Sequence, residues 1–353
     1  MKEPYSVMKR KPIFFCISLT YFVTLQPQFK KTMRKVIGIG ETVLDIIFKG
    51  EQPIQAVPGG SAYNALITLG RCGVSAMFIG EAGNDRIGET VRKYLVDNGV
   101  DASNLNVFPN SKSPISLAFL NDSNNADYLF YKDHPHDQID FVYPDIDPED
   151  IILFGSFFAV NPVVRPQVMG FLDYARSHGA IIYYDVNYRS SHSHEVMKVT
   201  PNILENFEFA DVVRGSDEDF EVMFKKKDAD SVYRSEISFY TKNFLYTRGK
   251  EPVELRGQGG LAKQYPVPPT ETVSTIGAGD NFNAGFVYGL IKYGITRSMI
   301  EAGLSEEQWD SIIGCAQQFS ANVCQSISNS VDKAFGERMK RELEESLSAD
   351  NND

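Results

Sequence analysis

Asp280 is a carboxylate placed to take a proton from a hydroxyl, because of the residues on either side of it. In Thr275-Ile276-Gly277-Ala278-Gly279-Asp280, three small residues lead into Asn281-Phe282-Asn283-Ala284-Gly285-Phe286, an apolar run that reads as a helix. Nothing larger than a methyl group stands at Gly277, Ala278 and Gly279. Their backbone N–H groups can approach an anion, and the helix adds its unpaired N–H groups and positive dipole end. A phosphoryl group held there lies within reach of Asp280 as a general base toward an attacking hydroxyl. A plainer account is also open: an aspartate capping a buried helix, since Phe282, Phe286 and Leu290 repeat at core-face spacing.

A second segment, Pro58-Gly59-Gly60-Ser61-Ala62-Tyr63-Asn64, also opens a helix with a glycine pair. Gly59 and Gly60 allow close backbone approach, and Asn64, one turn on, can return its amide to the same mouth. Amide donors and acceptors suit a polyol. Upstream, the apolar stretch from Val36 reads as a buried first strand, with Asp45 beyond its end and able to accept hydrogen bonds from sugar hydroxyls. Asp185-Val186-Asn187-Tyr188-Arg189 follows another strand, at the edge where open α/β sheets bind ligands; the alternative is a strand-ending turn with a surface arginine.

In this order the segments resemble the ribokinase-like (PfkB) carbohydrate kinase family, over about residues 34–332. The matching parts are Gly40-Glu41 with Asp45, Gly59-Gly60 with Asn64, residues 83–88, residues 185–189, Thr247-Arg248-Gly249 and residues 275–280. The resemblance implies a three-layer α/β/α sandwich with a mostly parallel sheet and a small β lid. It implies an ATP-dependent sugar kinase that uses Mg2+, with Asp280 as base and Gly277, Ala278 and Gly279 as anion hole. Asp45, Gly59, Gly60 and Asn64 would hold the sugar, with Lys132 and Arg189 beside them. Thr247 and Gly249 would lie along the nucleotide and Asn322 near its base. Asp-x-Asn-x-Arg is more similar to the fructokinase and 2-keto-3-deoxygluconate kinase branch, which implies a fructose-like or keto-deoxy sugar acid substrate. The alternatives are a nucleoside kinase of the same family and a sugar-binding regulator that has lost catalysis.

Three departures from the family pattern carry their own expectations. Ser274 stands where the family usually has an aspartate that helps bind a monovalent cation, so weak or absent potassium dependence is expected. The family's Asn-x-x-Glu, which orders magnesium and phosphate through water, reads Ser216-Asp217-Glu218-Asp219, with Asp219 in the glutamate's place and Glu218 as the alternative. Pro252 replaces a glycine that often follows Thr-x-Gly, which predicts a shifted turn.

Strand and helix patterns alternate along residues 34–340, as in one doubly covered parallel sheet. Two hairpin-like stretches, about 46–57 and 113–132, break the rhythm and predict the lid, which by the resemblance closes over the sugar and can pair with a second subunit's lid. Residues 341–353 are polar and acidic and are expected to be disordered. Acidic residues outnumber basic ones 46 to 35, a net charge of −11, which argues against nucleic-acid and anionic-membrane partners. Four cysteines without Cys-x-x-Cys spacing point to reduced thiols and a cytoplasmic location.

Residues 1–33 read as an extension outside the fold. Lys9-Arg10-Lys11 precedes an apolar run of signal-peptide length, but Gln26-Pro27-Gln28-Phe29 offers no small-residue cleavage site, and Met33 is the expected start. Glu89 stands where a P-loop would need lysine after Gly83-x-x-x-x-Gly88, so that segment reads as a turn and a helix start. His134, His136, His192 and His194 read as solvated loop histidines, not zinc ligands.

Overall fold

The computed structural model describes residues 34–121, 126–132 and 142–349. The N-terminal extension, the last four residues, His134 and His136 lie outside the described residues. In chain order the strands are β1 Val36–Ile39, β2 Val43–Lys49, β3 Gln52–Gly59, β4 Ala76–Gly83, β5 Val100–Phe108, β6 Ile115–Leu120, β7 Ala126–Tyr131, β8 Ile151–Gly155, β9 Ile181–Asp185, β10 Val212–Ser216, β11 Phe244–Thr247, β12 Val253–Arg256 and β13 Ala262–Tyr265. The helices are α1 Ser61–Arg71, α2 Arg86–Asp97, α3 Arg165–Ser177, α4 Val196–Phe209, α5 Asp217–Phe224, α6 Ala229–Val232, α7 Ala278–Lys292, α8 Arg297–Ala302, α9 Glu306–Cys324 and α10 Lys333–Ala349.

The large sheet has the order β13-β12-β11-β10-β9-β8-β1-β4-β5. It is parallel from β11 to β5, and only β12, next to the edge strand β13, runs against the others. Its central strands are apolar on both faces, as a doubly covered sheet requires. Leu153 and Tyr183 join the core beneath α1, α7 and α9, while Ile152, Phe154, Ile182 and Tyr184 join the one beneath α3, α4 and α5. From β1 the chain winds outward through β4 and β5, then returns to β8 on the other side of β1 and winds the opposite way. That reversal opens a crevice at the carboxyl ends of β1 and β8, where open α/β sheets bind ligands.

A second, four-stranded sheet has the order β3-β2-β6-β7. Its inner face packs Ile47, Val57 and Ala118 against Ile276, in the loop that leads into α7. The lid sheet therefore rests on the same loop that carries the Gly-Ala-Gly turn.

Two expectations are adjusted. The first strand is shorter than the apolar run that starts at Val36: β1 ends at Ile39, and Asp45, beyond its end, lies within β2 of the lid, because Gly40 to Thr42 turn the chain out of the large sheet. The disordered tail fails through residue 349, since α10 continues to Ala349 and buries Phe335, Met339 and Leu343 at four-residue spacing, an apolar stripe in a segment otherwise polar. Cys72, Cys315 and Cys324 are free thiols. No described helix is long and apolar enough to cross a membrane.

Candidate active site

The crevice narrows to a cavity of about 80 Å³ lined by the lid sheet, by the loops after β1, β8 and β9 and by the first turns of α1 and α7. Asp280, in the first turn of α7, is 9% exposed, and its Oδ2 accepts a hydrogen bond from Asn64 Nδ2 at 2.8 Å. Burial raises its pKa; the Asn64 bond and Arg189 oppose the shift, and Asp185 adds to it. The turn before it needs glycine: Gly277 has φ 74°, and a Cβ there would lie 2.7 Å from the carbonyl oxygen of Asn329. Asn281 Nδ2 fastens that junction by donating to Gly277 O at 2.8 Å and Asn329 O at 2.9 Å. The Ala278 N–H is already directed to Thr275 O at 3.2 Å. The first-turn N–H groups of Gly279 and Asp280 have no acceptor one turn back within the helix.

Asp45 reaches the cavity from the lid. Its Oδ1 accepts from Ser116 Oγ on β6 and its Oδ2 from Asn329 Nδ2 at 2.9 Å. Burial pushes its pKa up to about 6, against the two hydrogen bonds, with the nearby Asp280 adding to the rise. Gly59, two strand positions from the α1 entry, makes room for this carboxylate: a Cβ there would meet Asp45 Oδ2 at 2.2 Å. Gly60 precedes α1 and lines the cavity with Ser61 and Asn64.

Cationic groups occupy the rim. Lys132, at the end of β7, pairs with Glu41 after β1. Arg189 stands 5.8 Å from the ring of Tyr128 and is directed by the turn after β9, where Asn187 takes φ 38°, a left-handed conformation that asparagine tolerates. His192 lines the same cavity, stacked on Phe157 with ring centroids 3.8 Å apart. It is therefore not a solvated loop histidine; burial and Lys132 lower its pKa.

Other expected residues fall elsewhere. Asp219 is 4% exposed, its Oδ1 accepts from Tyr188 N at 2.7 Å, and its Oδ2 accepts from Ser216 N and Oγ in a capping box. It anchors the loop that carries Arg189. Glu218 is exposed on α5, and among the described residues no group of three or more His, Cys, Asp or Glu is arranged to hold a metal ion. Thr247, at the end of β11, accepts from Arg214 Nη2 at 2.6 Å, and Gly249 lies in the exposed turn beyond it. Pro252 immediately precedes β12, after a turn closed by Glu251 N to Arg248 O at 2.9 Å. Asn322 is committed to Asp332, donating to its Oδ2 at 2.9 Å and accepting from its N–H at 3.2 Å, beside an open hollow of about 830 Å³ between α9 and α10. Ser274 is fully buried, and its Oγ accepts from Ile276 N at 3.1 Å.

A profile of the pfkB family carbohydrate kinases matches residues 33–331. The chain belongs to this family. It is thereby a phosphotransferase with a carbohydrate alcohol group as acceptor. It is 30% identical over 247 residues to the 5-dehydro-2-deoxygluconokinase of Geobacillus kaustophilus, covering 66% of this chain and 72% of that protein. It is 26% identical to the fructokinase of Klebsiella pneumoniae, over 74% of this chain and 86% of that one. Among solved structures, the aminoimidazole riboside kinase of Salmonella enterica, complexed with aminoimidazole riboside and an ATP analog, matches with a TM-score of 0.73 at 19% identity, covering 88% of this chain and all of that one. The Vibrio cholerae O395 fructokinase with fructose, ADP and calcium bound gives 0.73 at 18% identity, over 90% and 98% of the two chains. These structures establish that this pfkB-family chain has the ribokinase-like fold.

Residues that the sequence did not single out complete the site of this kinase. Asn329 and Ser116 hold Asp45, and Arg214 bonds both Asp185 and Thr247. Arg214 carried a usable signal: a lone charge in the apolar strand Val212-Val213-Arg214-Gly215. Asn329 carried none, because its partner lies 284 positions away.

Proposed function

We propose that this kinase transfers the γ-phosphoryl group of ATP to a hydroxyl of a keto-deoxy sugar acid. The observation that carries the choice is one cavity with two demands: Asp45, Asn64 and Asp280 offer partners for hydroxyls, while Lys132, Arg189 and His192 offer positive or hydrogen-bonding groups for a carboxylate. The name of the 5-dehydro-2-deoxygluconokinase relative supports the same class. In the transfer, the sugar hydroxyl oxygen bonds to the γ-phosphorus as the bond to the β,γ-bridging oxygen breaks. The hydroxyl proton goes to Asp280, and ADP leaves. Gly279 and the other N–H groups of the turn stabilise the charge gathering on the phosphoryl oxygens. Asp45 and Asn64 orient the acceptor, with Gly59 and Gly60 letting it approach.

Thr247 and Gly249 lie on the nucleotide side. Magnesium arrives with the ATP phosphates, which supply its ligands along with water. The lid excludes water that would compete for the phosphoryl group. Its edge strand β7 exposes Leu129 and Tyr131, which supports pairing with a second subunit's lid; sedimentation as a monomer at micromolar concentration would rule this out. Dependence on ATP and the free thiols support a cytoplasmic site.

The test is a coupled ADP-release assay over keto-deoxy sugar acids, ketoses, aldoses and nucleosides. The keto-deoxy acids should give the highest kcat/KM, by about tenfold or more over fructose, the worth of one charge-assisted contact. Equal turnover of fructose, or a preference for nucleosides, would overturn the substrate assignment.

A further inference from the structure

Behind the turn that opens α7 lies a buried ion pair. Arg214 on β10 is 8% exposed and Asp185 at the end of β9 is 2% exposed. Arg214 Nη1 donates to Asp185 Oδ1 at 2.9 Å and Nη2 to Thr247 Oγ1 at 2.6 Å, while Nε has no partner among the described residues. The other carboxylate oxygen of Asp185 accepts from Asn283 Nδ2 at 2.8 Å and from Ser61 Oγ at 3.4 Å. Tyr183 Oη fixes Asn283 in turn, at 2.9 Å from its Oδ1. The pair therefore has one orientation.

Both ends face the reacting groups. A Cβ at Gly279 would lie 3.1 Å from Arg214 Nη1, so the guanidinium is in contact with the backbone of the first turn of α7. At the other end, Ser61 stands between Asp185 and Asp280, both of which feel its hydroxyl. Buried ion pairs are often no more stabilising than apolar residues of the same volume, so stability alone does not account for this one.

We propose that Asp185 and Arg214 are positioning residues whose oriented charges serve phosphoryl transfer. Arg214 backs the N–H groups toward which negative charge moves, and Asp185 keeps the surroundings of Asp280 favourable to accepting a proton. The proposal rests on the kinase reading above, and it adds a fixed positive charge to the anion hole that needs no bound ion.

The experiment compares the unmodified protein with Arg214→Lys, Arg214→Gln and the double variant Arg214→Gln/Asp185→Asn. Each is assayed for ADP release with Mg·ATP and 2-keto-3-deoxygluconate or D-fructose, and for its melting temperature. Arg214→Gln should lower kcat about 100-fold, the scale of losing an oxyanion-stabilising group, with acceptor KM within about threefold. Arg214→Lys should recover kcat to within about tenfold of the unmodified protein, since it keeps the charge but not the fork. The double variant leaves no unpaired buried charge and should melt near the unmodified protein while remaining about 30-fold or more slow. A folded double variant with unchanged kcat overturns the proposal. So does equal loss of kcat and acceptor KM with lysine no better than glutamine. If the unmodified protein releases no ADP with any acceptor, the kinase reading itself fails and this inference falls with it.

Discussion

Replacing Asp45 with asparagine should make the protein more stable and a poorer sugar binder at once. The carboxyl is 6% exposed, and burial pushes its pKa from the ordinary 3.8 to about 6. That difference corresponds to about 3 kcal/mol of penalty on the charged form in the folded protein. For a carboxylate with a raised pKa, the favourable contribution is present below the unfolded value and is lost as pH rises through about 6. Above that pH the unmodified protein bears the whole penalty. An asparagine bears none of it, and Asn329 can accommodate the new amide, because its Oδ1 has no partner among the described residues and the side chain can turn it toward position 45. At pH 8 the Asp45→Asn variant should therefore melt up to about 5 °C higher, given the unfolding entropy of a chain this size. The gap should close between pH 6 and 4. Calorimetric titration should show sugar bound about 10- to 100-fold more weakly, the worth of a charge-assisted hydrogen bond, with ADP affinity unchanged. A variant that melts lower at pH 8, or that keeps full sugar affinity, would leave Asp45 as only a structural link between the lid and residue 329.

Asp280→Asn should lower kcat by roughly 10²–10⁴ while nucleotide affinity holds, and near-normal turnover in a folded variant would leave only the helix-capping account. Because burial raises the pKa of Asp280, kcat should rise with pH through that pKa as the base ionises; a kcat that shows no such rise down to the acid limit of folding counts against this role. Gly59→Ala should weaken sugar binding about tenfold or more without changing ADP binding, since its Cβ would press on the Asp45 carboxylate at 2.2 Å. Rates in sodium and potassium buffers of equal ionic strength should agree, because Ser274 is buried and its oxygen is taken by Ile276 N; strong potassium activation would show that other oxygens complete a cation site.

Much of the architecture was legible because local pattern and tertiary role agree. Val36 to Ile39 and Ile151 to Phe154 are continuous apolar runs, which only a strand covered on both faces needs, and Asp85 followed by an amphipathic run marks α2. The lid hairpins were visible for the same reason. That Asp45 belongs to a lid strand was not legible, because an uninterrupted apolar pattern hides the turn at Gly40 to Thr42 where the chain changes sheets. The segments around Asp280 and Asn64 were legible as small-residue turns into helices, but their 2.8 Å contact spans 216 positions and has no local signature. The capping role of Asp219 was not read from the sequence, although a carboxylate three residues into a helix after serine is the pattern of a capping box. The C-terminal helix was missed because its buried residues are sparse among charges, and their four-residue spacing was outweighed by overall polarity.

Phosphoryl transfer to a sugar hydroxyl leaves a distinct product. Phosphorus NMR of the unmodified protein with Mg·ATP and a keto-deoxy sugar acid tests it most directly. One new phosphomonoester signal is expected for each ADP formed, absent without the sugar and lost with Asp280→Asn. ADP accompanied only by inorganic phosphate, or no change in ATP across all the sugars, would contradict it.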